Sequence, residues 1–236
     1  MGKIHSIQTL GATDGPGVRF TVFVQGCPLR CACCHNPDTW DMNSGTEVSA
    51  DEIVKKAERY KEYFGAVGGV TVSGGEPLMQ AQFVTEIFNL CHEKGINTCL
   101  DTSGCILNDD VKALLNVTDL VMLDIKYITD EKYKKYVGCS LSAATEFLDY
   151  LEFIEKPYYI RQVIIPELND KEDDIAELKA LLKNKKHLKK VELLPFKKLC
   201  QVKYDDLGLE FPLKSTPEPS SQKMQQLYEK IPKELL

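Results

Sequence analysis

The chain has 236 residues (26.6 kDa), of which 43% are apolar and 27% charged; this suffices for one substantial core and excludes disorder and collagen-like repeats. No apolar run reaches the roughly 20 residues a bilayer span needs, and the start MGKIHSIQTLG lacks a signal-peptide layout, so a soluble, cytoplasmic protein is expected. Lys and Arg number 29 against 35 Asp and Glu, a net charge of −6, so no nonspecific attraction to nucleic acid or membrane is expected.

In chain order, near-continuous β-branched or aliphatic runs predict strands over Arg19 to Gln25, Gly69 to Ser73, Ile96 to Asp101, Leu120 to Asp124, Tyr158 to Ile165 and Lys190 to Leu194. Between them fall amphipathic segments. Ser49 with Glu52 three residues on forms a capping box that starts one helix, and Phe83, Ile87 and Leu90 define the face of another, from about Gln80 to Lys94, that stops at Gly95. Further helices are expected near Asp109 to Leu115, Ala143 to Ile154, Asp174 to Leu182 and Ser221 to Ile231. Lys197 to Pro219 reads as an extended or loop-rich wrap. No repeat, low-complexity tract or linker appears, so residues 1–236 read as a single α/β domain of parallel β/α units, with 197–236 as a C-terminal extension.

In parallel β/α barrels the functional groups collect where strands end. Here Cys27 follows the first strand and Gly74-Gly75-Glu76 the second. Asp101 and Thr102 close the third, Asp124 and Lys126 the fourth, Arg161 lies within the fifth, and Pro195 to Lys197 close the sixth.

Nine cysteines in a chain without an export signal point to metal ligands, reactive thiols or core residues rather than a disulfide framework. Cys27, Cys31 and Cys34 fall within one short loop with the spacing Cys-x3-Cys-x2-Cys. Structural zinc needs four ligands, and no second Cys or His pair closes a tetrahedron here, so zinc would have to recruit Cys33, His35 or a distant thiol. A cubane iron–sulfur cluster held by three thiolates keeps one iron open to a small molecule, and this reading is preferred to zinc. Cys91 and Cys99 lie in apolar segments and read as core; Cys105, Cys139 and Cys200 read as surface or core thiols.

Cys27, Cys31 and Cys34, followed by Ser73-Gly74-Gly75-Glu76-Pro77, resemble the paired signature of the radical S-adenosylmethionine (SAM) superfamily. Thr13-Asp14-Gly15-Pro16-Gly17-Val18-Arg19, Cys34-His35-Asn36-Pro37-Asp38-Thr39-Trp40, Leu100 to Gly104, Asp119 to Lys126 and Leu193 to Phe196 extend the likeness over nearly the whole chain. They resemble the glycyl-radical-enzyme activating family, in particular its pyruvate formate-lyase branch. The resemblance implies a partial (β/α)6 TIM-like barrel of the radical SAM type, open on one side so that a glycine loop can enter as an extended peptide.

It further implies an oxidoreductase that reductively cleaves SAM at one 4Fe-4S cluster. Cys27, Cys31 and Cys34 would hold the cluster, SAM would take the fourth iron, and the resulting radical would take a hydrogen from a backbone glycine of pyruvate formate-lyase. Gly74 and Gly75 would let the backbone approach the methionine part, Glu76 would accept from its ammonium, and Cys33 and His35 would contact the adenosyl part. Asp124, Ile125 and Lys126 would lie along SAM, and Lys126 and Arg161 would offset carboxylate charge. Asp101, Thr102, Met122 and Asp124 match ligands of a monovalent cation, and Asp14 and His35 would grip the substrate peptide. A flavodoxin or similar one-electron donor and a monomeric state are implied, with no nucleic acid or membrane partner.

Two positions depart from the family pattern. Cys33 stands where an aromatic residue is common, leaving its backbone to meet the adenine, and Lys197 stands where close relatives often have His, still within reach of a ribose hydroxyl. The cysteine-free stretch Asp41 to Ser49 has no room for the ferredoxin-like insert of other glycyl-radical activators. The alternatives are an activator of a different glycyl-radical enzyme, such as anaerobic ribonucleotide reductase, and, in another class, a noncatalytic zinc or iron–sulfur binding protein.

Overall fold

In the computed structural model, which describes residues 1–236, the strands are β1 (Gly2–Gly11), β2 (Arg19–Val24), β3 (Thr46–Val48), β4 (Gly69–Gly74), β5 (Asn97–Thr102), β6 (Leu120–Asp124), β7 (Tyr158–Ile164) and β8 (Leu188–Pro195). Their hydrogen-bonded order is β3-β1-β2-β4-β5-β6-β7-β8, with β3 and β8 at the two ends, so this mixed α/β sheet does not close. The six expected strands are present to within two residues, and β1 and β3 are additional. The chain divides into two compact units inside β6: Met1–Pro28 with Thr39–Met122, and Leu29–Asp38 with Leu123–Leu236.

In the first unit β1 runs antiparallel to both β2 and β3, while β2, β4 and β5 are parallel. Register sets the chemistry of the faces. Thr21 pairs with Thr71 and Thr71 with Cys99, so the period-2 alternation puts Arg19, Thr21 and Phe23, Thr71 and Ser73, and Asn97, Cys99 and Asp101 on one face. Val22, Val24, Val70, Val72 and Leu100 line the other and are 0% exposed. Helices α1 (Ala50–Glu58), α2 (Ala81–Glu93) and α3 (Asp109–Asn116) supply the apolar faces for this core, with Ile53, Val84, Ile87, Phe88 and Leu114 fully buried. Ser49 and Glu52 form the expected capping box on α1. After α2, Gly95 turns the chain at φ +63° and the amide of Ile96 donates back to the Cys91 carbonyl at 2.9 Å. Cys91 and Cys99 are core residues, as expected.

The second unit contains α4 (Asp130–Tyr136), α5 (Leu141–Phe153), α6 (Glu172–Leu181), α7 (Gln201–Asp206) and α8 (Ser221–Tyr228), with β7 and β8 paired in parallel. Its core holds Phe147, Leu148, Leu151, Ile160, Ile164, Ile175, Leu178 and Leu193, all 0% exposed. The segment expected to be loop-rich is anchored by rings: Phe211 stacks on Phe196 (6.2 Å between centroids) and packs on Tyr204 of α7 at 4.8 Å. No helix is long and apolar enough to cross a membrane.

Candidate functional site

The candidate residues fall in both units, and each group is described within its own. In the first unit the root of the cysteine loop is fixed from two sides. Gly26 and Cys27 donate their amides to Thr39 and Trp40 carbonyls at 2.8 and 3.4 Å, and the end of β4 is zipped to the end of β2 by Gly75 N to Val24 O and Glu76 N to Gly26 O, both 2.9 Å. This zip explains the two glycines. Gly74 has φ +109° and a Cβ there would lie 2.5 Å from Val24 N; a Cβ on Gly75 would lie 2.3 Å from Gly26 O. The absence of side chains is required first by backbone packing on the cysteine loop.

Glu76 is 2% exposed and both of its carboxylate oxygens are already engaged. Oε1 accepts from Leu78 N at 3.1 Å and from Thr102 Oγ1 at 2.6 Å; Oε2 accepts from Ser103 N at 3.0 Å and from Ser103 Oγ. Burial pushes the carboxyl upward and the four donors oppose it. With these donors Glu76 clamps the turn after β4 to the end of β5. Asp101 accepts from Ser73 Oγ at 2.7 Å on the shared polar face, and Met122 is fully buried in β6.

Asp14 sits farther along that face. Its carboxylate accepts from Thr21 Oγ1 at 3.2 Å and its carbonyl from Thr71 Oγ1 at 2.7 Å, while Arg19 Nε donates to Thr71 Oγ1 at 2.9 Å. The loop between β1 and β2 is therefore folded in, with Asp14 one pleat repeat from the Ser73 and Asp101 level. Arg19 is fully buried and also donates to Asn97 Oδ1 and to the carbonyls of Val67 and Val70.

In the second unit the rest of the cysteine loop is held by α4 and α7. Arg30 N and Ala32 N donate to the carbonyls of Val137 and Tyr136 at 3.1 and 2.8 Å, and Cys34 N turns back to Cys31 O at 3.0 Å. Asn36 N donates to Cys34 Sγ at 3.4 Å. Tyr204 Oη donates to the Cys34 carbonyl at 3.3 Å, and Lys203 Nζ reaches Asn36 Oδ1 and Asp38 Oδ2, both at 2.9 Å. Cys31 and Cys34 are half-buried, whereas Cys33 is buried and its thiol is pushed upward by that burial. His35 is exposed, with Nε2 at 3.0 Å from the Lys197 carbonyl; the Lys197 ammonium is paired to Glu218 at 2.7 Å.

Beyond β6, Asp124 and Lys126 form an ion pair at 2.7 Å. Desolvation would raise the Asp124 carboxyl, but Lys126 and Arg161 hold it below the usual range; desolvation would lower the Lys126 ammonium, but Asp124, Cys31 and Cys33 hold it well above. Ile125 N donates to Arg161 O at 3.0 Å, and buried Asn169 ties Lys126 O (3.1 Å) to Val163 O (2.8 Å). Asn169, Lys203 and Tyr204 carry no local motif, and Ser103, though inside the Leu100 to Gly104 run, shows its role only through its contact with Glu76.

A family model described as the radical SAM superfamily matches residues 21–178. A pyruvate formate-lyase-activating enzyme of Clostridium pasteurianum is 45% identical over 100% of this chain and 99% of its own. The pyruvate formate-lyase 1-activating enzyme of Escherichia coli strain K12 is 40% identical over 96% and 94%. The chain belongs to the pyruvate formate-lyase-activating enzyme family of the radical SAM superfamily. Among solved structures, Streptococcus suis SuiB bound to S-adenosylmethionine has a TM-score of 0.67 at 14% identity over 86% of this chain and 44% of that one. A domain of a pyruvate-formate lyase-activating enzyme from Bacteroides vulgatus ATCC 8482 gives 0.58 at 23% identity over 69% and 92%. Both show the fold.

Membership of this family implies a 4Fe-4S cluster and SAM, and the donor set suits them. Three thiols share one loop, one of them already takes an N–H, and a buried cation, Lys126, lies in electrostatic range of Cys31 and Cys33. The buried hydroxyl of Tyr127 has no hydrogen-bond partner. No three or more His, Cys, Asp or Glu side chains are grouped to hold a single metal ion. A cluster makes a different demand, one thiolate on each of three irons.

Proposed function

We propose that this chain activates pyruvate formate-lyase by installing a glycyl radical in it, as an oxidoreductase of the cytoplasm that works as a monomer with a flavodoxin-like one-electron donor. The observation that carries this reading is the zip between the Gly-Gly-Glu turn and the cysteine loop, Glu76 N to Gly26 O, in a chain 45% identical over its full length to a protein named for that activity. When bound, the cluster and SAM supply the electron and the organic radical that removes a hydrogen atom from glycine.

The chain's residues bind, orient and shield. Cys27, Cys31 and Cys34 are the thiolate ligands, and the backbone of Gly74 and Gly75, held rigid by the Glu76 clamp, presents its polar groups to the methionine part. Cys33, buried and kept protonated, contributes backbone to the adenosyl part beside His35. Lys126 and Arg161 balance carboxylate charge, and Asp124, Ile125 and Lys126 lie along SAM. Asp101, Thr102, Met122 and Asp124 supply oxygen atoms to a monovalent cation, a donor set suited to a hard ion. Asp14, folded in beside Thr21 and Thr71, and exposed His35 receive the substrate peptide, and Lys197 lies next to His35.

Anaerobic reconstitution with iron and sulfide tests this. The expected results are an electron paramagnetic resonance signal that changes when SAM is added, reductive release of 5′-deoxyadenosine, and a glycyl radical on added pyruvate formate-lyase. Cys27→Ala, Cys31→Ala and Cys34→Ala should each abolish the cleavage while Cys91→Ala retains it. Stoichiometric zinc in place of iron, or indifference to SAM, would sink the reading. A radical formed only on another glycyl-radical enzyme would move the partner.

A further inference from the structure

Tyr127 follows the Asp124–Lys126 pair and is 1% exposed. Its ring packs on Tyr136 at 5.5 Å and meets Tyr133 edge-on at 6.5 Å. Tyr136 is the residue whose carbonyl holds Ala32 at 2.8 Å, so Tyr127 is packed against the strut that supports the middle of the cysteine loop. Its hydroxyl lies in electrostatic range of Cys33 and Cys31. Yet the oxygen is buried and has no hydrogen-bond partner, the sulfur of Cys33 included. An unpaired buried hydroxyl forfeits its hydration without recompense, and Phe would fill the same space without that cost. The hydroxyl therefore calls for an acceptor that arrives with the ligand.

We propose that Tyr127 Oη donates a hydrogen bond to sulfur of the cluster on its Cys31 side, and that this bond raises the cluster's reduction potential. The inference rests on the cluster reading above and adds to it a positioning and tuning residue. The sign follows from charge: the reduced cluster carries one more electron, accepts the hydrogen bond more strongly, and is stabilised relative to the oxidised one. The bond also orients Tyr127 against Tyr136 and so stiffens the loop from outside the ligand set.

The test is the midpoint potential of the reconstituted cluster, read by anaerobic dye-mediated titration and electron paramagnetic resonance. Tyr127→Phe should load iron and sulfide as the parent does but be harder to reduce, by about tenfold in the one-electron equilibrium, which is 59 mV. Replacement of Tyr127 by 2,3-difluorotyrosine, which has nearly the same shape and a stronger O–H donor, should shift the midpoint upward, an opposite movement that a packing role cannot produce. If Tyr127→Phe fails to retain its cluster, the fluorinated protein decides alone. Coincident midpoints for the parent and the fluorinated protein would overturn the hydrogen bond while leaving the activase reading standing. A parent protein that takes up no iron–sulfur cluster overturns both.

Discussion

The amide of Glu76 donates to the carbonyl of Gly26 at 2.9 Å, and a Cβ on the intervening Gly75 would stand 2.3 Å from that same oxygen. The turn after β4 and the root of the cysteine loop are thus in backbone contact. Gly75→Ala cannot relieve the clash by moving a flexible side chain, since the obstacle is main chain on both sides. We expect a loss of about 3 kcal/mol in urea unfolding of the apoprotein, the upper range for overpacking, together with loss of cluster uptake. Unchanged stability would mean that the two backbones separate freely, and the zip would lose its importance.

Within the second unit, residues 29–38 are held by α7. Tyr204 Oη donates to Cys34 O at 3.3 Å and Lys203 pairs with Asp38 at 2.9 Å, but Lys203 is 39% exposed, so its ion pair contributes little by itself. Tyr204 is buried and its burial raises the phenol, which keeps it a donor at any working pH. Tyr204→Phe should cost about 1 kcal/mol of loop anchoring, and Lys203→Met less. In the reconstituted protein this should appear as a roughly fivefold faster release of iron to a chelator for Tyr204→Phe. Equal release rates would show that the loop holds its shape without α7.

What could be read from the sequence follows from where the determining forces act. Strands β2, β4 and β6 are buried on nearly every residue and announce themselves as apolar runs; the Ser49 cap announces itself by spacing. The strand Gly2–Gly11 is mostly exposed and antiparallel, with Ile4 as its one well-buried aliphatic side chain, so its identity comes from the pairing with β2. Helix α4, DEKYKKY, buries only Tyr133 and has no apolar stripe to reveal it. The cysteine spacing, Gly-Gly-Glu and the strand-end aspartates were legible because ligands impose local patterns. The clamp on Glu76 was not, because Thr102 and Ser103 lie at and just past the end of the next strand. Tyr204 likewise meets Cys34 only across a long stretch of chain.

Glu152 at the end of α5 links that helix to β8's approach. It accepts from Tyr158 Oη at 2.7 Å, His187 N at 3.0 Å and Lys186 N at 2.9 Å. Desolvation raises its carboxyl, but these three donors prevail and hold it below the usual carboxylate range. A depressed folded pKa means stability that is present above the unfolded value near 4.3 and is lost as pH falls through the folded value. Glu152→Gln should therefore destabilise the apoprotein by about 1–2 kcal/mol at pH 7, and the gap should close below about pH 4. A gap that persists undiminished at pH 3 would assign the effect to shape rather than charge.

Gln162 supplies the reverse case. It lies on β7 between Ile160 and Ile164 on the buried face, is paired in register with Leu193, and is 0% exposed, yet neither its amide nitrogen nor its amide oxygen has a partner. Each unpaired group forfeits its hydration without recompense. Met has nearly the same length and volume and no strong polar group, so Gln162→Met should fit the space while removing the penalty. The expected gain is about 1–2 kcal/mol, a Tm rise on the order of 2–8 °C for a chain of this length, read by calorimetry of the apoprotein. A loss of stability would mean that the amide is bridged by buried water, and the Gln would then be part of a polar network rather than a flaw in the core.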